Sequence, residues 1–161
     1  MYFKYFNSKK NNLNNESFSL YQEIVNHSNI FIKNNLNHRN LNFNEVFEIF
    51  SIVIIFYLKK LKDKKNEKSK IISQAIIDNF VKDLDQNFRE QGIGDMSIGK
   101  YVKKYVKKFY FRLKILDSIF ETKNELDINE YLEKVDILNN DNSAKINANL
   151  LDLYNKILIE K

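Results

Sequence analysis

The chain has 161 residues, of which 43% are hydrophobic and 14% aromatic, which suits one domain with a single core. It has no cysteine, which excludes disulfides, thiolate metal sites and a catalytic thiol, and the absence of proline with only three glycines argues against turn-rich all-β classes. The net charge of +5 is uneven, because residues 1–114 carry 21 basic and 11 acidic side chains whereas residues 115–161 carry 5 and 10.

The N-terminal segment, residues 1–17, is predicted to be a flexible extension rich in aromatic and basic residues, and residues 18–161 to form one helical domain. The segment lacks the apolar stretch of roughly 7–15 residues that marks a secretory signal, and it is short and arginine-free for a transit peptide. Its interleaved aromatic and lysine residues fit either contact with a membrane interface or a frayed terminus.

Two capping boxes predict where the first two helices begin. Ser19 followed by Gln22 marks the start of the first helix, and Asn42 followed by Glu45 marks the start of the second. In each pair the side chain of the first residue accepts a hydrogen bond from a free backbone N–H, and the later side chain returns one.

The second helix is apolar nearly all round from Val46 to Leu58, with Glu48 and Ser51 as its interruptions. This stretch is shorter than the roughly 20 residues that a bilayer requires. A helix that is apolar on every side needs cover on every side, so the pattern predicts a buried central helix.

Apolar side chains at helical spacing predict further helices over about 70–91, over about 98–121 and near the C-terminus, and Asp127 with Glu130 is predicted to cap a shorter helix that runs through Leu138. No alternating strand pattern appears. The fold class is therefore predicted to be all-α, a single-domain bundle of about six helices with a buried central apolar helix. The apolar stripes of the three longer helices consist of Ile72, Ile76, Phe80, Leu84 and Phe88; of Val102, Val106, Phe109, Leu113, Leu116 and Phe120; and of Ile146, Leu150, Leu153, Tyr154, Ile157 and Leu158.

All three glycines lie in one segment, REQGIGDMSIGK, between two predicted helices. From Gly94 to Lys100 it reads G-x-x-x-x-G-K, as in a phosphate-binding loop, but Tyr101 stands where that loop places the magnesium ligand Ser or Thr. A phosphate-binding loop also follows a strand, whereas this segment follows a helix. The segment therefore predicts a helix-to-helix turn and no bound nucleotide.

Each small residue of this turn has a predicted part. Gly92 is expected to adopt the left-handed conformation that ends a helix, and Gly94 a second unusual backbone angle. Ser97 is predicted to cap the next helix. Gly99 is not needed for capping, so its missing side chain predicts close approach of another helix or, alternatively, of a ligand.

The helix after the turn is strongly basic. Lysines near a helix N-terminus are unfavourable, so their clustering favours a face that binds an anionic partner such as RNA, a ribosome or an anionic membrane surface. A solvated face, or lysine enrichment by mutational drift, is the alternative. Phe111 lies within the basic arc and is predicted to be exposed. The basic residues of this helix are Lys100, Lys103, Lys104, Lys107, Lys108, Arg112 and Lys114.

No pattern indicates an enzyme. The two histidines, His27 and His38, have neither cysteine partners nor H-x-x-x-H spacing, so no metal site is expected. The sequence offers no recognisable nucleophile–base pair and no paired buried carboxylates. We predict no catalytic residue, no metal and no cofactor.

The segment FVKDLDQNFREQGIGDMSIGKYVKKYVKKFYFRL resembles the ubiquinol–cytochrome c chaperone family, in which a similar arginine–glutamate–x–glycine–x–glycine–aspartate–x–x–x–glycine–lysine stretch precedes a basic helix. LYQEIV and the helix that ends in YLKKLK resemble earlier family segments in the same order. The resemblance covers residues 18–121, is most specific over 80–112 and is weak over the final 40 residues. The family usually has a small residue where this chain has Phe111.

The resemblance implies an all-helical, non-enzymatic assembly factor that binds nascent cytochrome b for the quinol–cytochrome c reductase. Mitochondrial relatives associate with the ribosome, and whether a helper subunit is needed is unknown. The implied location is cytoplasmic, peripheral at the inner membrane of a bacterium, with the mitochondrial matrix side as the alternative. Two other functions stay open: a basic helical module that binds RNA or the ribosome, and an adaptor that docks on an anionic membrane.

Two sets of residues follow from the resemblance and the basic helix. The family-like positions are Asp85, Arg89, Glu90, Gly92, Gly94, Asp95, Gly99, Lys100, Lys103, Phe109, Tyr110 and Arg112. The predicted partner-binding residues are Asp85, Arg89, Glu90, Asp95, Lys100, Lys103, Lys104, Lys107, Lys108, Tyr110, Phe111 and Arg112.

Overall fold

The computed structural model describes residues 15–36, 40–137 and 143–159. These residues form six helices and contain no strand, which confirms the prediction of an all-α bundle. Residues 1–14 of the predicted extension lie outside the described residues. The helices are α1 (Asn15–Leu36), α2 (Phe43–Asp63), α3 (Glu67–Glu90), α4 (Asp95–Thr122), α5 (Glu125–Lys134) and α6 (Ser143–Ile159).

Helix α2 is the centre of the bundle, because α1, α3, α4 and α6 all contact it. Every residue from Glu45 to Leu58 is buried, so the prediction of a buried central helix is confirmed. Among the described residues, none of the helices combines the length and the apolar character that a membrane span requires.

The capping box at the start of α2 is confirmed. The Asn42 side chain accepts a hydrogen bond from the Glu45 N–H at 3.1 Å, and Glu45 Oε2 accepts one from the Asn42 N–H at 2.8 Å. The box predicted at Ser19 is wrong, because α1 begins at Asn15 and Ser19 lies inside it. No helix breaker precedes Ser19, and Glu16 in the first turn interacts favourably with the helix dipole.

Helix α5 also begins earlier than predicted. Asn124 caps it by accepting a hydrogen bond from the Leu126 N–H at 3.1 Å, so Asp127 lies in the first turn and not at the cap. The helix ends at Lys134 and not at Leu138, because Asp136 adopts a left-handed conformation with φ of 60° that closes the helix.

The apolar stripe predicted for α3 is buried throughout, as are the central positions of α6. In α4 the buried line runs through Ile98, Tyr105, Phe109, Leu116 and Phe120, of which the first two were not predicted. Val102, Val106 and Leu113, predicted as core, are only partly buried. The core face of α4 is therefore rotated relative to the predicted stripe.

Candidate functional site

The turn between α3 and α4 is closed by Gly92. Its φ is 80°, in the left-handed region that favours glycine, which confirms the prediction. The Ile93 N–H donates to the Phe88 carbonyl at 3.0 Å and the Gly92 N–H to the Arg89 carbonyl at 3.0 Å. This is the hydrogen-bond pattern of a Schellman motif, and Ile93 packs against the core beneath it.

Two other predictions for this turn are wrong, and a third is wrong in one of its two alternatives. Gly94 has an ordinary φ of −65° and is itself the N-cap of α4, so Ser97 lies in the first turn and donates its N–H to the Gly94 carbonyl at 2.8 Å. The helix starts early because Asp95 favours a helix N-terminus. A Cβ at Gly99 would meet nothing within 4 Å, so no other described helix approaches it closely, and close approach of a ligand stays a prediction.

An ion network links the two helices across the turn. Arg89 Nε lies 2.6 Å from Asp85 Oδ2, and Arg89 Nη1 lies 2.5 Å from Asp95 Oδ1. All three side chains are largely exposed, so the network contributes little to stability. Its effect is geometric, because it fixes the first turn of α4 against the last turns of α3. Glu90 is exposed and accepts a hydrogen bond from Gln86.

A groove of about 590 Å³ lies along the contact between α3 and α4, and we call it the α3–α4 groove. Its apolar surface is partly exposed valine, and Gly99 leaves one side of it open. Positive and negative side chains both border it. The residues that line the groove are Val81, Lys82, Asp85, Gly99, Val102, Lys103 and Val106.

Most of the lysines of α4 face solvent. We call five of them the outer lysines, and none forms a salt bridge or hydrogen bond within the described ranges 15–36, 40–137 and 143–159. Tyr110 and Phe111 are exposed on the same helix, by 47% and 57%. The outer lysines are Lys100, Lys103, Lys104, Lys107 and Lys114.

The other two cations of α4 turn inward. Arg112 donates from Nε and Nη2 to the two carboxylate oxygens of Glu48 at 2.9 and 3.1 Å, and Lys108 Nζ lies 2.7 Å from Glu48 Oε1. The Tyr131 hydroxyl donates to Glu48 Oε2 at 3.1 Å. Lys108 and Arg112 were predicted to belong to the basic face that binds a partner, and their salt bridges to the buried Glu48 contradict this placement. These four residues, the Glu48 cluster, connect α2, α4 and α5.

The Glu48 carboxylate is buried and ionised. Burial alone would raise its pKa, but the hydrogen bonds and charges of Arg112 and Lys108 outweigh burial and lower it. Burial, reinforced by the Glu48 charge, raises the pKa of Tyr131. The Tyr131 hydroxyl therefore stays protonated and donates a hydrogen bond to Glu48. The carboxylate thus has three donors from two other helices.

A second buried carboxylate, Asp83 on α3, has no salt bridge to a cation among the described residues. The Tyr21 hydroxyl of α1 donates to Asp83 Oδ2 at 2.8 Å. Burial raises the Asp83 pKa to about 6, and the hydrogen bond from Tyr21 only partly offsets that rise. Sequence reasoning missed both carboxylates. A lone acid in the apolar run of α2, with Lys108 and Arg112 four residues apart elsewhere, was the available signal for the first.

Within the part of the chain that the structure describes, no three His, Asp or Glu side chains are grouped as metal ligands. The G-x-x-x-x-G-K segment does not form a phosphate-binding loop, because Gly94 caps α4 and Gly99 and Lys100 lie within it. The α3–α4 surface has an apolar groove, charged borders and solvent-facing cations.

The described residues thus define the class of the protein as an all-helical bundle with a partly apolar surface groove. The chain is a member of the ubiquinol–cytochrome C chaperone family, whose model matches residues 40–133, more than half of the chain. The predicted resemblance is thereby confirmed, with a match over residues 40–121 that extends into α5, whereas residues 18–39 lie outside the matched segment.

The fold is shared with a solved structure. The crystal structure of the Cbp3 homolog from Brucella abortus is similar with a TM-score of 0.74 at 21% sequence identity, over 90% of this chain and 81% of that chain. A search among curated protein sequences found no match. The matched family segment runs from the capping turn before α2 through most of α5, so it contains both the α3–α4 groove and the Glu48 cluster.

Proposed function

We propose that this protein is a non-enzymatic assembly chaperone that binds nascent cytochrome b in the α3–α4 groove, at the cytoplasmic face of a bacterial inner membrane. Membership of the ubiquinol–cytochrome C chaperone family supports the general class of function. The observation that carries the more specific proposal is the position of Gly99.

Gly99 is not explained by the fold of the chain itself. It has no positive φ, and a Cβ there would meet nothing within 4 Å. A glycine inside a helix costs about 1 kcal/mol relative to alanine. Alanine would therefore fit at this site and stabilise the helix. Glycine, in contrast, leaves space beside the helix for a partner.

The surroundings of Gly99 favour a helical segment as that partner. Small residues let two helix backbones approach closely, which is how many membrane helices pack against each other. The partly exposed Val81, Val102 and Val106 offer apolar contact to one face of a segment, and Lys82 and Lys103 can bind its polar edge. A transmembrane segment of cytochrome b before insertion presents such an apolar face.

The substitution Gly99→Leu tests the groove directly. It should fill the groove without strain, leave the protein folded and reduce the capture of cytochrome b from ribosomes that are translating it. Membranes from cells that carry only this variant should show a weakened cytochrome b haem spectrum.

Ser118→Leu is the matched control, because it adds the same side chain to an exposed position of α4 outside the groove. The control should behave like the parent protein. Normal capture and a normal haem spectrum with Gly99→Leu would refute binding in this groove, and unchanged cytochrome b after deletion of the gene would refute the function altogether.

The outer lysines favour a second function, docking on an anionic surface close to the site of synthesis. Five cations with no intramolecular salt bridge in the described residues are available to the RNA of a translating ribosome or to anionic lipid. Ribosomal RNA would bring the groove to the client as it is made. Binding to purified ribosomes should then weaken steeply as salt rises, because counterions are released on association.

A further inference from the structure

A second depression lies farther along the bundle, where α2, α3 and α4 meet, and it differs from the α3–α4 groove in chemistry. Its volume is about 630 Å³. Three buried residues of α2, Ile55, Leu58 and Leu61, form its floor, and the partly buried Ile77 and Leu113 form its walls. The interior is therefore apolar and large enough for an extended ligand.

The mouth of this cleft has an excess of positive charge. Five of its lining residues are lysines, and Asp117 is its one acidic lining residue. Three of the lysines are paired with carboxylates: Lys62 binds Asp117 at 2.9 Å, Lys59 binds both Asp117 and Glu121, and Lys70 binds Glu67 at 2.6 Å. The lining lysines are Lys59, Lys62, Lys65, Lys70 and Lys114. We call this site the lysine-ringed cleft.

Two of these lysines, Lys65 and Lys114, have no salt bridge within the described part of the chain. Lys65 has a φ of 50°, in the left-handed region where glycine is favoured. Its N–H donates to the Lys62 carbonyl at 3.2 Å, so the backbone closes α2 as a glycine would. The side chain of Lys65 is thus not required by the turn, and it places a cation at the mouth of the cleft.

We infer that the lysine-ringed cleft binds an anionic phospholipid, with one acyl chain on the apolar floor and the phosphate at Lys65 and Lys114. An apolar interior with cations around its mouth matches a ligand with a tail and a negative head. The α3–α4 groove, by contrast, is lined by two lysines and Asp85, so its border carries a smaller excess of positive charge than the five lysines and one aspartate of the cleft.

Binding is measured with soluble lipid in the full-length protein. Dihexanoyl phosphatidylglycerol below its micelle concentration should bind saturably with one molecule per chain in calorimetry. Dihexanoyl phosphatidylcholine should bind with an affinity at least about tenfold lower, because it lacks the net charge that the lysines recognise. Glycerol 3-phosphate, which has the head without the tail, should not bind detectably.

Two variants separate the tail site from the head site. Gln74→Trp places a bulky side chain at the exposed edge of the cleft and should abolish binding without changing its charge. The double variant Lys65→Gly/Lys114→Gln should weaken phosphatidylglycerol binding about tenfold or more while keeping the turn at residue 65 intact. Thermal denaturation checks that each variant is folded.

Lys100→Gln/Lys104→Gln is the matched control, because it removes the same charge from α4 outside the cleft. It should bind the lipid like the parent protein. Equal losses in the two double variants, or unchanged binding by Gln74→Trp, would overturn the proposal. If Gln74→Trp reduces the capture of cytochrome b but not of lipid, the cleft belongs to a peptide. The lipid-binding results are independent of whether the α3–α4 groove binds cytochrome b.

Discussion

Helix α4 carries two groups of cations, and the residue types in the sequence do not show which cations belong to which group. Lys108 and Arg112 point inward and bind the buried Glu48, whereas the outer lysines face solvent without salt bridges in the described residues. The inward pair is part of the core, and the outer lysines are available to a partner. A count of basic residues on α4 therefore overstates the binding surface. Substitutions of the inward pair should lower stability, whereas substitutions of the outer lysines should weaken partner binding.

The largest effect should come from removing the charge at the centre of the inward group. Glu48→Gln preserves the shape but leaves Lys108 and Arg112 without a counter-charge, so the free energy of unfolding should fall by about 3–5 kcal/mol. Urea denaturation at pH 7 measures it. Asp95→Asn, which breaks an exposed ion pair with Arg89, should cost within about 1 kcal/mol. A loss below 1 kcal/mol for Glu48→Gln would contradict the structural role of the inward cations.

The pH dependence of stability sharpens the contrast between a buried carboxylate with cations and one without. The Asp83 pKa is raised to about 6 from 3.8, so the folded state binds the proton more tightly and lowering the pH from 7 towards 4 should stabilise the protein, by on the order of 2–3 kcal/mol from this group. The Glu48 pKa is lowered, so the stability that its charge provides is present above pH 4.5 and is lost as the pH falls through its folded pKa.

Asp83→Asn isolates the first of these effects. The amide oxygen can still accept from Tyr21, and no charge is buried. Urea denaturation at pH 4.5, 5.5, 7 and 8 should show a rise in stability towards acid in the parent protein and a smaller rise in the variant. Identical pH profiles for the two proteins would show that Asp83 does not titrate in this range.

The turn at Gly92 sets the rotation of α4 about its own axis. This rotation directs one group of cations inward and the other towards solvent. Gly92→Ala should cost about 1 kcal/mol or more, since alanine must enter the left-handed region even though its Cβ has space. Gly99→Ala lies inside α4 with no positive φ and no atom within 4 Å of the added Cβ, so it should be neutral or stabilising. Thermal denaturation of both variants measures the difference, and equal stabilities would mean that the turn tolerates a side chain.

The smallest effect on stability should come from the outer lysines. Replacing Lys100, Lys104 and Lys107 with Gln should change the free energy of unfolding by no more than about 0.5 kcal/mol. The same change should weaken ribosome binding and flatten its dependence on salt, because fewer counterions are released. Lys108→Gln alone should cost more stability than the triple variant. If the triple variant binds ribosomes like the parent protein, the outer lysines have no role in docking.

The sequence predicted what depends on local spacing. The apolar runs of α2 and α3, the capping box at Asn42 and the left-handed Gly92 follow from neighbours a few residues apart, and all are confirmed. The helix starts at Ser19 and Ser97 were wrong because the same capping residues also occur inside helices, and the flanking residues decide.

The parts that sequence reasoning missed depend on contacts between distant segments. Lys108 turns inward because Glu48 lies 60 positions earlier on the central helix, and no local pattern on α4 shows this. Gly99 was predicted to allow close approach of another helix or of a ligand, and no described helix lies close to it. A glycine in a sequence looks the same whether the space beside it is filled by the chain itself or by a partner.

The Glu48 cluster also has a consequence for the order in which the chain acquires its structure during synthesis. Glu48 binds groups that lie 64 and 83 positions later, so α2 leaves the ribosome with a carboxylate whose counter-charges have not yet been made. Such distant contacts require long loops to close before they stabilise anything. The interior around α2 cannot close over an ionised Glu48 until Arg112 has emerged. The commitment of the bundle to its final packing is therefore postponed to the last third of translation.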